Sequence, residues 1–226
     1  MAEYVNTFLF GIYPYIAIVT MIIGSILRYD QNPYSWKADS SQLLHSKGLR
    51  LGNNLFHVGI LLLFVGHFVG LLTPHWVYEP FITAGQKQIL AMTAGGIFGS
   101  MAFVGMSILI WRRTTQDRVR ATTKFMDMAI LLILFVQLIL GMLTIPVSAK
   151  HLDGSSMIAL AEWAQHIVTL RGGAADFIME EALIFKLHIF LGLTIFLLFP
   201  FTRLVHMISA PLKYLFRSGY QIVRKR

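Results

Sequence analysis

Five stretches of this chain stay apolar for about 20 residues, the length an α-helix needs to cross the hydrocarbon core of a bilayer. They fall at roughly 5–27, 51–72, 88–110, 126–145 and 183–205. Lipid offers the backbone no hydrogen bonds, so spans of this kind are helices and the chain reads as an all-α integral membrane protein. Composition agrees: 56% of the 226 residues are hydrophobic and only 13% are charged, too few charges to coat a soluble domain. The connections are too short for a separate soluble catalytic domain, and no repeat or low-complexity tail interrupts the pattern. Residues 1–226 therefore read as one membrane domain.

Basic residues set the expected orientation. Fifteen of the 19 Lys and Arg residues fall on one side, in the first connection (Arg28, Lys37, Lys47, Arg50), the third (Arg112, Arg113, Arg118, Arg120, Lys124) and the C-terminal end (Arg203, Lys213, Arg217, Arg224, Lys225, Arg226). Lys87, Lys150, Arg171 and Lys186 fall on the other. The positive-inside rule then predicts an external N-terminus and a cytoplasmic C-terminus, consistent with an odd number of spans. The net charge of +8 is accounted for by this topology and needs no nucleic-acid partner. MAEYVNTFLF has no basic residue ahead of its apolar run and no small-residue cleavage site, so it is expected to remain as the first helix.

Four histidines lie on two of the apolar stretches. His57 and His67 are in LGNNLFHVGILLLFVGHFVGLL, and His188 and His206 are in LIFKLHIFLGLTIFLLFPFTRLVH. An intramembrane histidine is costly without a partner and marks a functional site by default. The second and fifth spans run in opposite directions, which matches His57 with His206 toward the cytoplasm and His67 with His188 toward the outside. Two level-matched pairs of neutral imidazoles suit axial ligation of two haems. With no cysteine in the chain, iron–sulfur clusters and covalent c-type haem are excluded, so any haem is held through histidine alone.

The spacings of the two pairs differ. Ten residues advance about 15 Å and eighteen about 27 Å along ideal helices. Eighteen residues make whole turns and put His188 and His206 on one face, while His57 and His67 are offset by roughly 80°. The two haems are thus not simple translations of one another. A distortion is expected at Pro200, which cannot donate to the Phe196 carbonyl.

Gly59, Gly66 and Gly70 form a stripe beside His67, and Gly192 lies one turn after His188. Such glycines admit either a flat macrocycle or a neighbouring helix, and both readings stay open. Lys87 at the start of the third span is either an interfacial snorkelling lysine or a donor to a quinone carbonyl near the outer haem. Tyr29, Arg112, Arg113 and Arg203 are candidates for haem propionates, although topology alone explains basic residues there. His45, His75, His151 and His166 fall in connections, where surface roles are expected, with His75 in TPHW nearest the outer site. Asp176, Glu180 and Glu181 read as solvated loop charge. The first connection, with Trp36, Leu43 and Leu44, is expected to order against a partner or the membrane surface, and LDGSSMIALAEWAQHIVTLRGG to form a short helix along the outer face.

IYPYIA, LRYD, NNLFHVGIL, FVGHFVGLLTPHW, RVRATT, LTIPVSA, HLDGS, FKLHIFLG and LLFPFTRLVH together give the chain a near end-to-end likeness. It resembles the gamma subunit of bacterial respiratory nitrate reductase, the di-haem cytochrome b anchor of that complex. The resemblance implies His57 and His206 as ligands of the inner haem b and His67 and His188 as ligands of the outer one. It places a quinol site at Lys87 with Gly66 beside it. It also implies menaquinol or ubiquinol as substrate, and an iron–sulfur beta subunit and a molybdenum-containing alpha subunit as cytoplasmic partners. The location would be the bacterial cytoplasmic (inner) membrane. The competing readings are a quinone-linked anchor of another oxidoreductase and, in a different class, a histidine-lined transporter without haem. The transporter should show broken helices in inverted repeats, and none is evident.

Overall fold

Each spanning helix begins and ends where the local sequence supplies a cap, a charge or a proline. The computed structural model describes residues 2–36, 41 and 43–209, and these contain helices and turns but no strand. Five helices are long and apolar enough to cross a membrane: α1 (Glu3–Gln31), α2 (Leu49–Leu72), α3 (Ala84–Thr115), α4 (Phe125–Ser148) and the fifth span, Leu183–Phe201. The described part of the chain is thus an all-α protein with five membrane-length helices. Between α4 and the fifth span lies α5 (Ser155–Val168), and the regular part of the fifth span is α6 (Leu183–Leu198). Of the basic residues used to read orientation, Lys37, Lys213, Arg217, Arg224, Lys225 and Arg226 lie outside the described residues.

Four helices run a few residues past their expected windows. For α3 the reason is a capping box: Thr83 Oγ1 accepts from the Gln86 N–H while Gln86 Oε1 accepts from the Thr83 N–H, which satisfies two helix-start donors reciprocally. At its far end Arg112 and Arg113 sit in the last turn, where cations suit the helix dipole. In α1, Pro14 cannot donate to the Phe10 carbonyl. The helix passes through a π turn at Phe8–Ile12, and the Trp163 indole N–H donates to that carbonyl at 2.9 Å.

The fifth span differs from its expectation. It does not merely kink at Pro200: α6 ends at Leu198, the Phe199 N–H takes the Phe196 carbonyl, and a 3₁₀ turn covers Phe199–Phe201. Thr202 is extended (φ −118°, ψ 179°), and a second 3₁₀ turn covers Arg203–Met207. Eighteen residues therefore do not make five whole helical turns here, and the shared-face inference for His188 and His206 does not hold.

The packing separates tight from loose contacts. Helices α2 and α3 meet backbone to backbone: a Cβ on Gly59 would lie 2.7 Å from the Phe98 carbonyl and the Ala102 nitrogen, and one on Gly52 would lie 2.9 Å from Ile108. Small residues are what allow this approach in a membrane. From α3 the neighbours continue through α4 and α6 to α1. Helix α2 and α6, which carry His57, His67 and His188, are not among the closely packed pairs. The expected short helix is present as α5, but its apolar side is inserted rather than laid on a surface. Trp163, Ala164 and Ile167 are buried with Phe10, Ala17, Ile178 and Leu193. The Gln165 amide closes it onto the end of α2 by donating to the Leu71 carbonyl at 3.0 Å.

Candidate functional site

The four histidines come together in two pairs between α2 and the fifth span with its continuation, His206 lying just beyond that span. The His57 and His206 ring centres are 6.4 Å apart with ring planes at 68°. Those of His67 and His188 are 6.0 Å apart at 37°. A metal–imidazole bond is about 2 Å long. Two such bonds and two half-rings span roughly 6 Å, the separation both pairs show. Direct hydrogen bonding between the rings would need nitrogen atoms about 3 Å apart.

The second ring nitrogens fit the same use. His57 Nδ1 lies 2.8 Å from the Asn53 carbonyl, and His67 Nδ1 lies 2.8 Å from the Leu63 carbonyl. His206 Nδ1 pairs with the Arg203 carbonyl. A carbonyl can only accept, so Nδ1 carries the proton and Nε2 presents its lone pair, the arrangement of a metal-ligating histidine. His188 is held otherwise. Its Nδ1 is buried with no hydrogen-bond partner, and the Gln137 amide donates to its carbonyl at 3.0 Å.

Two observations bear on what fits between the rings. Among the described residues no three His, Cys, Asp or Glu side chains converge, so the protein offers each site two ligands only. A bare zinc-type ion wants three or four; a haem brings its own four nitrogens and takes two histidines axially. The second observation concerns space. A Cβ on Gly66 or Gly70 would meet nothing within 4 Å, while one on Gly141 would come within 2.9 Å of His188 Cε1. The glycines therefore divide: Gly59 serves helix packing, Gly66 and Gly70 border open space, and Gly141 admits the His188 ring. Gly192 makes room for the Gln137 amide, which would lie 3.1 Å from its Cβ. Two ligands, spacing and room together suit a planar macrocycle.

Lys87 is buried, 8% exposed, in the first turn of α3. Its ammonium lies 3.9 Å from the centre of the Tyr78 ring and 3.4 Å from the Thr73 carbonyl. A snorkelling lysine would extend to water; this one is folded back over an aromatic face, a cation–π contact. It does not reach the position a Cβ on Gly66 would take, which has no neighbour within 4 Å. Burial, with the Glu79 and Glu162 carboxylates adding to it, pushes the Tyr78 hydroxyl above the usual phenol range. His75 stacks edge-on against Tyr78 and lies 3.2 Å from Glu79.

The residues expected near the inner propionates take different places. Arg112 is buried, and it donates to the carbonyls of Lys47 and His45 and to Ser41 Oγ. Those N–H groups staple the first connection instead of facing an anion. Arg203 pairs with Asp127 at 3.7 Å, Arg113 reaches Thr123 Oγ1 at 3.5 Å, and the exposed Tyr29 ring lies against Trp36. Of the loop histidines, His166 faces Glu162 at 3.8 Å, and His151 offers its carbonyl to Gln88. Lys186 donates to the Met179 carbonyl at 2.6 Å, beside Glu180 and Glu181.

Sequence reasoning missed Gln137, Gly141, Tyr78 and Arg28. A signal existed for Gln137: it is a lone amide deep in the apolar run of α4, and such a residue asks for a partner. Gly141 follows it by one turn on the same face. Tyr78 carried no comparable sign.

The sequence matches the nitrate reductase gamma subunit family over residues 6–226. It is 51% identical over 226 residues to the respiratory nitrate reductase 2 gamma chain of Escherichia coli strain K12, covering 100% of both chains. It is 53% identical over 224 residues to the respiratory nitrate reductase 1 gamma chain of the same organism, covering 99% of both. Against the nitrate reductase gamma chain of Bacillus subtilis strain 168 it is 39% identical over 222 residues, with 96% and 97% covered. The chain belongs to the nitrate reductase gamma subunit family.

Proposed function

We propose that this chain is the cytochrome b subunit of a respiratory nitrate reductase in the bacterial cytoplasmic membrane. It oxidises quinol at Lys87, and nitrate is reduced on partner subunits. The observation that carries the reading is the spacing of the two histidine pairs, 6.4 and 6.0 Å between ring centres, with two protein ligands each. His57 and His206 would hold one haem b, and His67 and His188 the other. Haems bound there would supply one-electron carriers, and the two α2 histidines that would hold them are ten residues, about 15 Å, apart.

The residues of the chain do the rest. The carbonyls of Asn53, Leu63 and Arg203 fix the rings so that Nε2 faces the metal position. Lys87 has donors left over after Thr73, and one of them would bind a quinol oxygen and stabilise negative charge there as the protons depart. Tyr78 holds that ammonium in place through its ring face. By the positive-inside reading this site is at the outer face and the His57/His206 pair at the cytoplasmic face. On that face the third connection carries Arg113, Arg118, Arg120 and Lys124, basic residues suited to an acidic partner. The chain contains no cysteine, so the iron–sulfur relay and the molybdenum centre belong to beta and alpha subunits docked there.

The test uses the purified complex. Two protohaems per copy of this chain, reduced by menaquinol or ubiquinol and reoxidised by nitrate, are expected. A colourless folded chain overturns the haem reading. Haems that quinol reduces but nitrate leaves reduced move the chain to another quinone-linked oxidoreductase.

A further inference from the structure

The break after α6 places His206 on a 3₁₀ turn instead of a helix, and something must hold that turn still. The chain around Pro200 lacks the donors a continuous helix would give its carbonyls. They are supplied from α1. Arg28 Nη1 donates to the Pro200 carbonyl and to the Thr202 carbonyl, both at 2.7 Å. The rest of the guanidinium is anchored in turn: Nε reaches Ser35 Oγ at 3.0 Å and Nη2 the Ser35 carbonyl at 3.1 Å. Ser35 Oγ is itself fixed on the Asn32 carbonyl at 2.8 Å. One helical turn before Arg28, Gly24 lets Pro200 sit against the α1 backbone, since a Cβ there would lie 2.8 Å from the proline ring.

The clamp leads directly to the imidazole. Thr202 follows the clamped segment and caps the second 3₁₀ turn, its hydroxyl accepting the Leu204 N–H at 3.3 Å. The next residue, Arg203, provides the carbonyl that pairs with His206 Nδ1. Arg28, two carbonyls, one 3₁₀ turn and one ring nitrogen thus form an unbroken series of contacts. One nitrogen, Nη1, serves both carbonyls while Nε and Nη2 are tied to Ser35; lysine has a single nitrogen and cannot make both sets of contacts in a fixed plane.

We propose that Arg28 is a positioning residue for His206, holding the broken end of the fifth span as a rigid ledge that sets the angle of the inner ligand. This rests on the haem reading of the His57/His206 pair. Arg28 does not touch the ring, so its effect is on ligand orientation.

The experiment compares Arg28→Gln, Arg28→Lys and Gly24→Ala in the purified complex, reading each haem separately by low-spin EPR and redox titration. Arg28→Gln is expected to weaken inner-haem affinity roughly 10- to 100-fold, the usual result of removing a partner that orients a ligand. The EPR signature of the remaining inner haem should shift while the outer haem stays as in the unmodified complex. Arg28→Lys keeps the charge but not the fork, so the ledge predicts a shift in the same direction as Arg28→Gln. An unmodified inner-haem signature in Arg28→Lys means that charge alone acts and overturns the ledge. Gly24→Ala pushes on Pro200 with Arg28 intact, and the same inner-haem change is expected. It also decides the matter if Arg28→Gln does not accumulate. Unchanged inner-haem spectra in Gly24→Ala and Arg28→Lys, or equal changes at both haems, overturn the proposal. Fewer than two haems in the unmodified complex overturns the underlying haem reading instead.

Discussion

The two histidine pairs share a spacing and differ in how the fold delivers them. His67 and His188 both stand on regular helix, with ring planes 37° apart. His57 stands on helix, but His206 stands on a 3₁₀ turn beyond a break, and those planes are 68° apart. At the first pair precision comes from crowding: Gly141 admits the His188 ring and Gln137 grips its backbone. At the second it comes from hydrogen bonds made by another span, through Arg28. The His188 ring is fixed by a glycine slot and one amide, whereas the turn carrying His206 is fixed by a guanidinium through its backbone. The pairs should therefore fail independently and for different reasons.

On the haem reading, the largest expected effects break one pair at a time. Replacing His67 or His188 by Ala should remove one haem completely and leave the other, while His57→Ala or His206→Ala should remove the other. Haem stoichiometry and reduced spectra of the four complexes check this; loss of the same haem from His57→Ala and His67→Ala contradicts the pairing. Gly141→Ala comes next. Its methyl would lie 2.9 Å from His188 Cε1, so the ring must move, and a roughly 10- to 100-fold weaker outer haem is expected with an unaltered inner one.

Smaller effects sharpen the outer end. Lys87→Ala should keep both haems and raise the KM for quinol roughly 30-fold, from loss of a charged hydrogen bond worth about 2 kcal/mol. Unchanged steady-state kinetics would return the lysine to a packing role. Tyr78→Leu removes only the ring beneath the ammonium. A cation–π contact of about 1 kcal/mol predicts a KM rise of roughly fivefold, and Tyr78→Phe should restore most of it. Gly66→Ala is the subtlest. Its methyl meets no protein atom within 4 Å, so helix content and thermal stability of the haem-free chain should not fall. Any loss of outer haem or quinol turnover would then report what occupies that space.

Much of the fold was legible because hydropathy over 20 residues is a strong signal and antiparallel neighbours fix which histidines share a level. The rest depended on contacts between residues far apart in sequence. Pro200 announced a disturbance near Phe196, yet whether a helix bends or stops depends on who satisfies the freed carbonyls. That donor was Arg28, 172 residues away, which the sequence presents only as a loop charge. Gly59, Gly66 and Gly70 look alike in a helical stripe, and only the position of α3 shows that the first is a helix contact and the others are not. Arg112 has the right charge for a propionate, but burial against the first connection commits it to backbone. Lys87 was singled out from its place at a helix start, and the structure buries it there. Its folded-back pose depends on Tyr78, a residue no local pattern distinguishes.

The loose seam between α2 and α6 has a further consequence on the haem reading. Helix α2 and the fifth span meet through two ring pairs and are bridged at one end by α5, but they are not among the closely packed pairs. Porphyrin supply should thus govern not only redox competence but also how much of this polypeptide survives quality control in the membrane. Cells starved of tetrapyrrole precursors should turn the chain over faster, even where its messenger level is unchanged.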